Sequence, residues 1–376
     1  MSAEENKAIF RRYVEEVTNR GNLEIADEIF DRYLAHQPDG TVLERGPEDV
    51  RRFQAELRSA FHGLHATIED QLAEDDRVVT RWRMRGIHHG EFRGIAPTGE
   101  EVEINGIGIF RFSPEGKVVE SWDSYDQFGI MRQSFEQELR VARGIQQSLL
   151  PKDLPRLAGW EMAGYYQPAR EVGGDFYDFL ELEDGRLGLV VGDATGKGIP
   201  AALVMATTRS MLRAVSQASD SPGEVLRRAN DPLVTDIPPN MFVTCLYAIL
   251  EPESGRLRYA NAGHDLPYRR HGGEAEELRA RGMPLGLMPG MEYEEKEIVL
   301  SKGESVLFYS DGLVEAHDPG GEMFGFPRLR ALIAAHGAGS GDKLVDFLLA
   351  DLARFTGEGW EQEDDITLVT LQRATR

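Results

Sequence analysis

The spacing of apolar residues changes period along this chain, and that change limits its fold more than any other feature. Ile9, Phe10, Tyr13, Val14 and Val17 recur three or four apart and stop at Asn19-Arg20-Gly21, which predicts a helix. Leu23, Ala26, Ile29, Phe30 and Tyr33 share one face of a second predicted helix. Beyond about residue 65 the period becomes two: Val78, Thr80, Trp82 and Met84 alternate with Val79, Arg81, Arg83 and Arg85. Val102-Glu103-Ile104 opens another strand, and Ile107 to Phe112 runs into the turn Ser113-Pro114-Glu115-Gly116. Val118 to Trp122 returns as its hairpin partner. Helices followed by a curved antiparallel sheet predict an α+β unit over residues 1–130.

The period then returns to three and four. Phe135, Leu139, Ala142, Ile145 and Leu149 form a stripe that Pro151 ends, so residues 131–155 read as a linker helix. The stripe is about two heptads long and suits either packing on a domain or self-association. Residues 156–376 interleave strands with helices. Leu187 to Val191 is a buried-strand run, Ile199-Pro200 opens a helix, and Ser221-Pro222-Gly223-Glu224 reads as a capping box. Met241–Leu250 and Arg256–Ala260 flank the turn Glu253-Ser254-Gly255 as a hairpin, and Ser305–Tyr309 and Ile366–Leu371 are further strands.

Charge narrows the function. A formal charge of −22 with no compensating run of lysine and arginine disfavours nucleic acid and anionic lipid as partners. No apolar run approaches the ~18 residues of a membrane span, and MSAEENKAIF lacks a signal pattern. The only cysteine, Cys245, lies in an apolar run and reads as a small buried residue. The expectation is a cytoplasmic protein. An acidic chain that handles phosphate must recruit cations.

Four aspartates recur beside glycine or another acid at the ends of apolar strands: Asp175 in Gly173-Gly174-Asp175, Asp193 in Gly192-Asp193-Ala194-Thr195-Gly196, Asp311 in Ser310-Asp311-Gly312, and Asp364 or Asp365 before Ile366. Strand ends aim carboxylates rigidly, and glycine lets the backbone approach a ligand. Oxygen ligands without His or Cys at matching spacing favour Mg²⁺ or Mn²⁺ over zinc. Each aspartate alone is equally at home as a turn or cap residue.

Taken together, Ile145-Gln146-Gln147-Ser148-Leu149-Leu150-Pro151, Glu171 to Asp178, Gly192 to Ala202, Asn261-Ala262-Gly263-His264, Pro284-Leu285-Gly286, Tyr309 to Ala316, Phe324-Gly325 and Asp364 to Val369 resemble the SpoIIE/RsbU-type bacterial branch of the metal-dependent protein phosphatase family. The resemblance implies an α-β-β-α sandwich with a central pair of antiparallel sheets, and two Mn²⁺ or Mg²⁺ ions. Asp193 would bridge them, the carbonyl of Ala194 would support one, Asp311 and Asp364 would complete the second site, and Asp175 would hold the first. Asp364 rather than Asp365 is the ligand the resemblance favours. Two cations lower the pKa of a shared water toward ~7, and the hydroxide would attack phosphorus in line. The implied substrate is a phosphoserine or phosphothreonine regulatory protein of the anti-sigma-factor-antagonist type. Ser310, Ala194-Thr195 and Asp265 depart from the usual residues there, and none removes a carboxylate.

The segment His89 to Gly99, Ile109 to Phe112, Gly116 to Trp122 and Asp126 resembles the SnoaL-like branch of the nuclear-transport-factor-like fold. That implies a cone-shaped sheet with a pocket in its mouth, often in a homodimer, and a small-molecule or protein signal for a front domain that regulates the phosphatase. Asp126 as a catalytic acid, and Trp82 and Trp122 as pocket lining, are set against simple packing. Arg170 and Lys197 would steer phosphate or stay solvated. His264 would donate a proton or brace a turn. His88 and His89, adjacent on a strand, would face opposite ways. The rival functions are a non-catalytic phosphoprotein scaffold and a SnoaL-type cyclase or hydrolase.

Overall fold

The computed structural model describes residues 1–37, 39–126, 129–336 and 341–375, which divide into two compact units, Met1–Glu138 and Leu139–Arg376.

In the N-terminal unit helix α1 (Ala3–Arg12) is capped by Ser2 and runs into a π-helical segment, Tyr13–Asn19. A short helix α2 (Ala26–Ile29) follows, and then strand β1 (Phe30–His36) begins. Phe30 and Tyr33 therefore lie on a strand, not on the predicted second helix. The helix stops at Ile29 because Phe30 turns extended and pairs with Val118, so sheet pairing overrides a helical spacing. The remaining elements are β2 (Val42–Arg45), α3 (Pro47–Ala60), β3 (Phe61–Glu74), β4 (Arg77–His88), β5 (Glu101–Phe112) and β6 (Val118–Tyr125). Helix α3 went unread in the sequence, although Val50, Gln54, Leu57 and Ala60 bury one face at helical spacing.

The six strands form one sheet in the order β2-β1-β6-β5-β4-β3. The β5–β6 hairpin and the long β4–β5 pairing match the alternation in the sequence. One pair, β1 with β6, is parallel, so the sheet is mixed and not wholly antiparallel as expected. Inward-facing Phe110, Phe112, Val102 and Ile104 of β5 join α1 and α3 in one core. Two inward positions of β5 are Gly106 and Gly108. A Cβ on Gly106 would sit 2.3 Å from the Trp82 ring, and one on Gly108 would sit 2.6 Å from Asp123 Oδ1. The glycines make room for those side chains, and the concave face holds a cavity of about 370 Å³.

Helix α4 (Gly129–Leu149) contains the division between the units. On its stripe Phe135 and Ile145 are exposed, while Leu139, Ala142 and Leu149 are half-buried. The C-terminal unit continues with β7 (Trp160–Gln167), β8 (Phe176–Glu181), β9 (Leu187–Ala194), α5 (Ile199–Ser216), α6 (Pro222–Asp236), β10 (Val243–Glu251), β11 (Arg256–Ala262), β12 (Tyr268–His271), β13 (Glu274–Glu277), β14 (Glu295–Val299), β15 (Ser305–Tyr309), α7 (Asp311–Val314), α8 (Gly325–Ala335), α9 (Gly341–Thr356) and β16 (Ile366–Arg373). At α6 the Ser221 Oγ accepts from Glu224 N at 3.2 Å, while the Glu224 carboxylate binds Arg227 and Arg228 in place of closing the box.

Two five-stranded antiparallel sheets result, β14-β11-β10-β9-β8 and β13-β12-β15-β16-β7. Their strands are apolar on both faces because each sheet is covered twice. Leu189 and Val191 of β9 point to the core between the sheets, with Phe308 and Val369 opposite. Val190 points the other way, toward Met205 of α5 and Leu226 of α6. On the second sheet Leu307 and Leu368 meet Leu329 of α8 and Leu348 of α9. These layers make the expected α-β-β-α sandwich. Cys245 is fully buried in β10. Among the described residues no helix is long and apolar enough to cross a membrane.

Candidate metal centre

The two sheets bring the predicted aspartates together. Asp175 precedes β8, whose Phe176 pairs with Gly192 near the end of β9, so Asp175 and Asp193 share one edge. On the other sheet Tyr309 at the end of β15 pairs with Leu368 near the start of β16. That puts Asp311, which opens α7, beside Asp364 and Asp365. Hydrogen bonds join the edges: Thr367 Oγ1 donates to Asp175 Oδ2 at 2.7 Å, and Ala194 N donates to Gly174 O at 3.2 Å.

The neighbouring acids have different surroundings. The Asp365 carboxylate accepts from the backbone N–H groups of Ala169 at 2.8 Å, Gly174 at 2.6 Å and Asp175 at 3.3 Å, and is buried. It ties the two sheets together. Asp364 is partly exposed and faces Lys197 Nζ at 3.0 Å. Gly173 leaves no room for a side chain, since its Cβ would lie 2.1 Å from Asp365 Oδ2. From α4, Gln146 grips the same loop, donating to Gly173 O at 2.6 Å and accepting from Gly173 N at 3.1 Å. The sequence reading assigned Gln146 and Thr367 no role; nothing local marks them, because both act through contacts that only the fold creates.

Burial and mutual repulsion push these carboxyls up. Burial, then the charges of Asp193 and Asp365, hold Asp175 well above the ordinary aspartate value. Burial, then Asp311, Asp364 and Asp365, push Asp193 up to about 7. Asp311 rises to about 6 through burial and Asp364. Asp265 rises to about 7 through burial and the charges of Asp311 and Glu315. Such a site is short of positive charge.

The donors fit hard divalent cations: they are carboxylates and the Ala194 carbonyl, which stands 2.5 Å from where a Cβ on Gly174 would project. Among the described residues no three His, Cys, Asp or Glu side chains surround one point. Ions here would therefore draw only part of their shell from these carboxylates and complete it with carbonyl and water, as Mg²⁺ commonly does.

The other candidates separate. Asp178 of the Gly173–Asp178 run faces away, in a buried pairing with Arg209 at 2.9 Å and with Arg213. His264 is buried, its Nδ1 2.9 Å from Thr244 Oγ1 and its backbone locked by Asn261, and burial pushes its pKa down to about 4. That is the bracing role. Arg170 is exposed, and its side chain has no hydrogen-bond or ionic partner among the described residues. In the N-terminal unit His88 is buried and stacked on Phe61 while His89 is exposed, as alternation requires. Trp82 and Asp126 line the cavity. Trp122 instead stacks on His36 at 4.5 Å. The buried acid of that cavity is Asp123, which the sequence reading passed over in favour of Asp126.

Residues 183–374 match the family described as Stage II sporulation protein E (SpoIIE), and residues 8–134 match SnoaL-like polyketide cyclase. Protein IcfG of Synechocystis sp. is 31% identical over 264 residues, covering 63% of this chain and 41% of that protein. Phosphoserine phosphatase RsbU of Bacillus subtilis is 27% identical over 245 residues, covering 65% of this chain and 72% of that protein. The chain thus spans about two-fifths of the length of IcfG. The SiaA-PP2C domain of Pseudomonas aeruginosa shares the fold, with a TM-score of 0.58 at 24% identity over 65% of this chain and 99% of that one. With just over half of its length in the SpoIIE match, this chain belongs to the SpoIIE family and carries a SnoaL-like unit ahead of the phosphatase fold.

Proposed function

We propose that the C-terminal unit is a metal-dependent protein serine/threonine phosphatase acting on a phosphorylated regulatory protein. One observation carries the reading: carboxylates from both sheets crowd at one edge, where burial and like charge raise Asp175, Asp193 and Asp311, so the site calls for cations. Two Mn²⁺ or Mg²⁺ ions would acidify a shared water and offset charge on the phosphoryl oxygens.

Asp193 would hold both ions from the end of β9, with Asp175 and the Ala194 carbonyl on one side and Asp311 and Asp364 on the other. Asp365 positions the loop without touching an ion, since its oxygens serve three N–H groups. Lys197, beside Asp364, and the unpartnered Arg170 supply the positive charge that an acidic chain needs to receive phosphate. RsbU, by its name a phosphoserine phosphatase, points to phosphoserine as substrate. An anti-sigma-factor antagonist is the partner this reading favours. The N-terminal unit would regulate turnover, and the exposed Phe135 and Ile145 of α4 suit a homodimer in the cytoplasm.

The test is phosphate release from a phosphoserine protein with and without Mn²⁺, for the parent and Asp193→Ala. Metal-dependent turnover that the variant lacks is the expected result. Absence of turnover with either metal would leave a phosphoprotein-binding scaffold.

A further inference from the structure

The cavity of the N-terminal unit holds a carboxylate without a counter-ion. Asp123 projects from β6 among aromatic walls that include Tyr13, Tyr33 and Trp82. Its hydrogen-bonding neighbour is the Ser121 hydroxyl, and no lysine or arginine among the described residues pairs with it. Burial raises its pKa to about 6, so it is mostly ionised at neutral pH. Its charge adds to burial in holding the protons of the Tyr13 and Tyr33 hydroxyls.

Gln54 is 3% exposed, and its Nε2 donates to the Tyr13 hydroxyl at 2.7 Å, which fixes one aromatic wall of the cavity.

Arg45, Asp49, Arg93 and Asp126 also line the cavity. Asp49 pairs with Arg52 and feels the charge of Arg45. The Arg93 guanidinium lies over the rings of Phe92 and Phe53, at 5.4 and 5.9 Å. At Asp123 a cation would meet a carboxylate with no basic partner among the described residues, and the negative faces of aromatic rings.

We propose that this cavity binds an organic ammonium ion with a flat apolar body, its N–H groups donated to the Asp123 carboxylate. The volume of about 370 Å³ suits a molecule of one or two rings. The site stands independently of the phosphatase reading.

Isothermal titration of the full-length protein tests it, with 2-phenylethylamine, the neutral 2-phenylethanol and the anionic phenylacetate as probes. The amine should bind at least about tenfold more tightly than either isostere, the factor that ~1.4 kcal/mol of ionic preference produces. Asp123→Asn should remove that preference. Equal binding of alcohol and amine, preference for phenylacetate, an unaffected Asp123→Asn, or no binding of the amine at millimolar concentration would each overturn the proposal. If Asp123→Asn fails to fold, the three-probe ranking still decides. Calorimetry registers binding without turnover, so its failure and a failure of phosphatase activity are separate results.

Discussion

In the N-terminal unit Asp123 faces an aromatic cavity from strand β6, with Asp49 and Asp126 also in the lining. In the C-terminal unit Asp175, Asp193, Asp311 and Asp364 stand where strands begin or end, and burial with like charge raises the pKa of the first three. Both sites hold buried negative charge, but they call for different cations. Crowded oxygens repel until a small divalent ion sits among them, and aromatic walls are poor ligands for such an ion. A carboxylate within rings suits a weakly hydrated organic cation. Neighbours, more than the acid itself, decide what each site accepts.

The largest effect should come from separating a ligand from its scaffold. Asp364→Ala removes a proposed ligand that is partly exposed, and its pairing with Lys197 contributes at most about 1 kcal/mol to stability. Turnover should fall by more than the ~100-fold that loss of an outer partner costs, with little change in Tm. Asp365→Asn should do the reverse. Three buried N–H groups lose their carboxylate, destabilising the unit by roughly 2–4 kcal/mol. Manganese titration of activity and thermal unfolding, run on both variants, check the pair. Lost metal dependence at an unchanged Tm in Asp365→Asn would reverse the assignment of the two acids.

The same contrast explains what was legible in the sequence. Asp193 and Asp311 stand beside a glycine at the ends of apolar runs, and Asp175 and Asp364 stand just before such runs, so strand ends and chemistry are marked in one short segment each. Layering was legible too, because strands such as Leu187 to Val191 are apolar on both faces. Convergence of the four acids was not, since it depends on β15 pairing with β16 and on Thr367 reaching Asp175 across 192 residues. In the N-terminal unit Asp123 carries no local mark. It faces inward only because β6 alternates Ser121, Asp123 and Tyr125 on the concave side. Phe30 and Tyr33 misled for a similar reason: their spacing suits a helix, and only the partner strand β6 draws them into a sheet.

A smaller effect should appear in stability against pH. Burial holds Asp123 up to about 6, and burial with like charge holds Asp193 up to about 7. Both are weaker acids folded than unfolded, where an aspartate titrates near ~3.9. The folded protein keeps protons that the unfolded chain has released. The stability these groups contribute is therefore full below about pH 4 and lost as pH rises to about 7. Asp123→Asn should flatten the decline between pH 5 and pH 7.5 by on the order of 1 kcal/mol, read as Tm differences from the parent at those two pH values. Mn²⁺ should raise the parent's Tm more at pH 7.5 than at pH 5, because at pH 5 the cation must displace protons. An equal rise at both would mean that the raised carboxyls are not where the ion binds.

The smallest effect concerns Arg170, which is exposed and has no side-chain partner among the described residues, so its loss should leave the fold intact. Its charge matters only as a phosphoprotein approaches a chain of net charge −22. Arg170→Ala should raise KM for a phosphopeptide several-fold and leave kcat unchanged, the pattern of lost uniform binding. The difference should shrink at high salt, because an exposed charge is screened beyond about 10 Å at 0.1 M. Amine binding in the N-terminal cavity should not change, since Arg170 belongs to the other unit. A fall in kcat would instead bring Arg170 to the transferring phosphoryl group itself. That would make the C-terminal site dependent on a fixed cation as well as recruited ones, a feature Asp123 lacks.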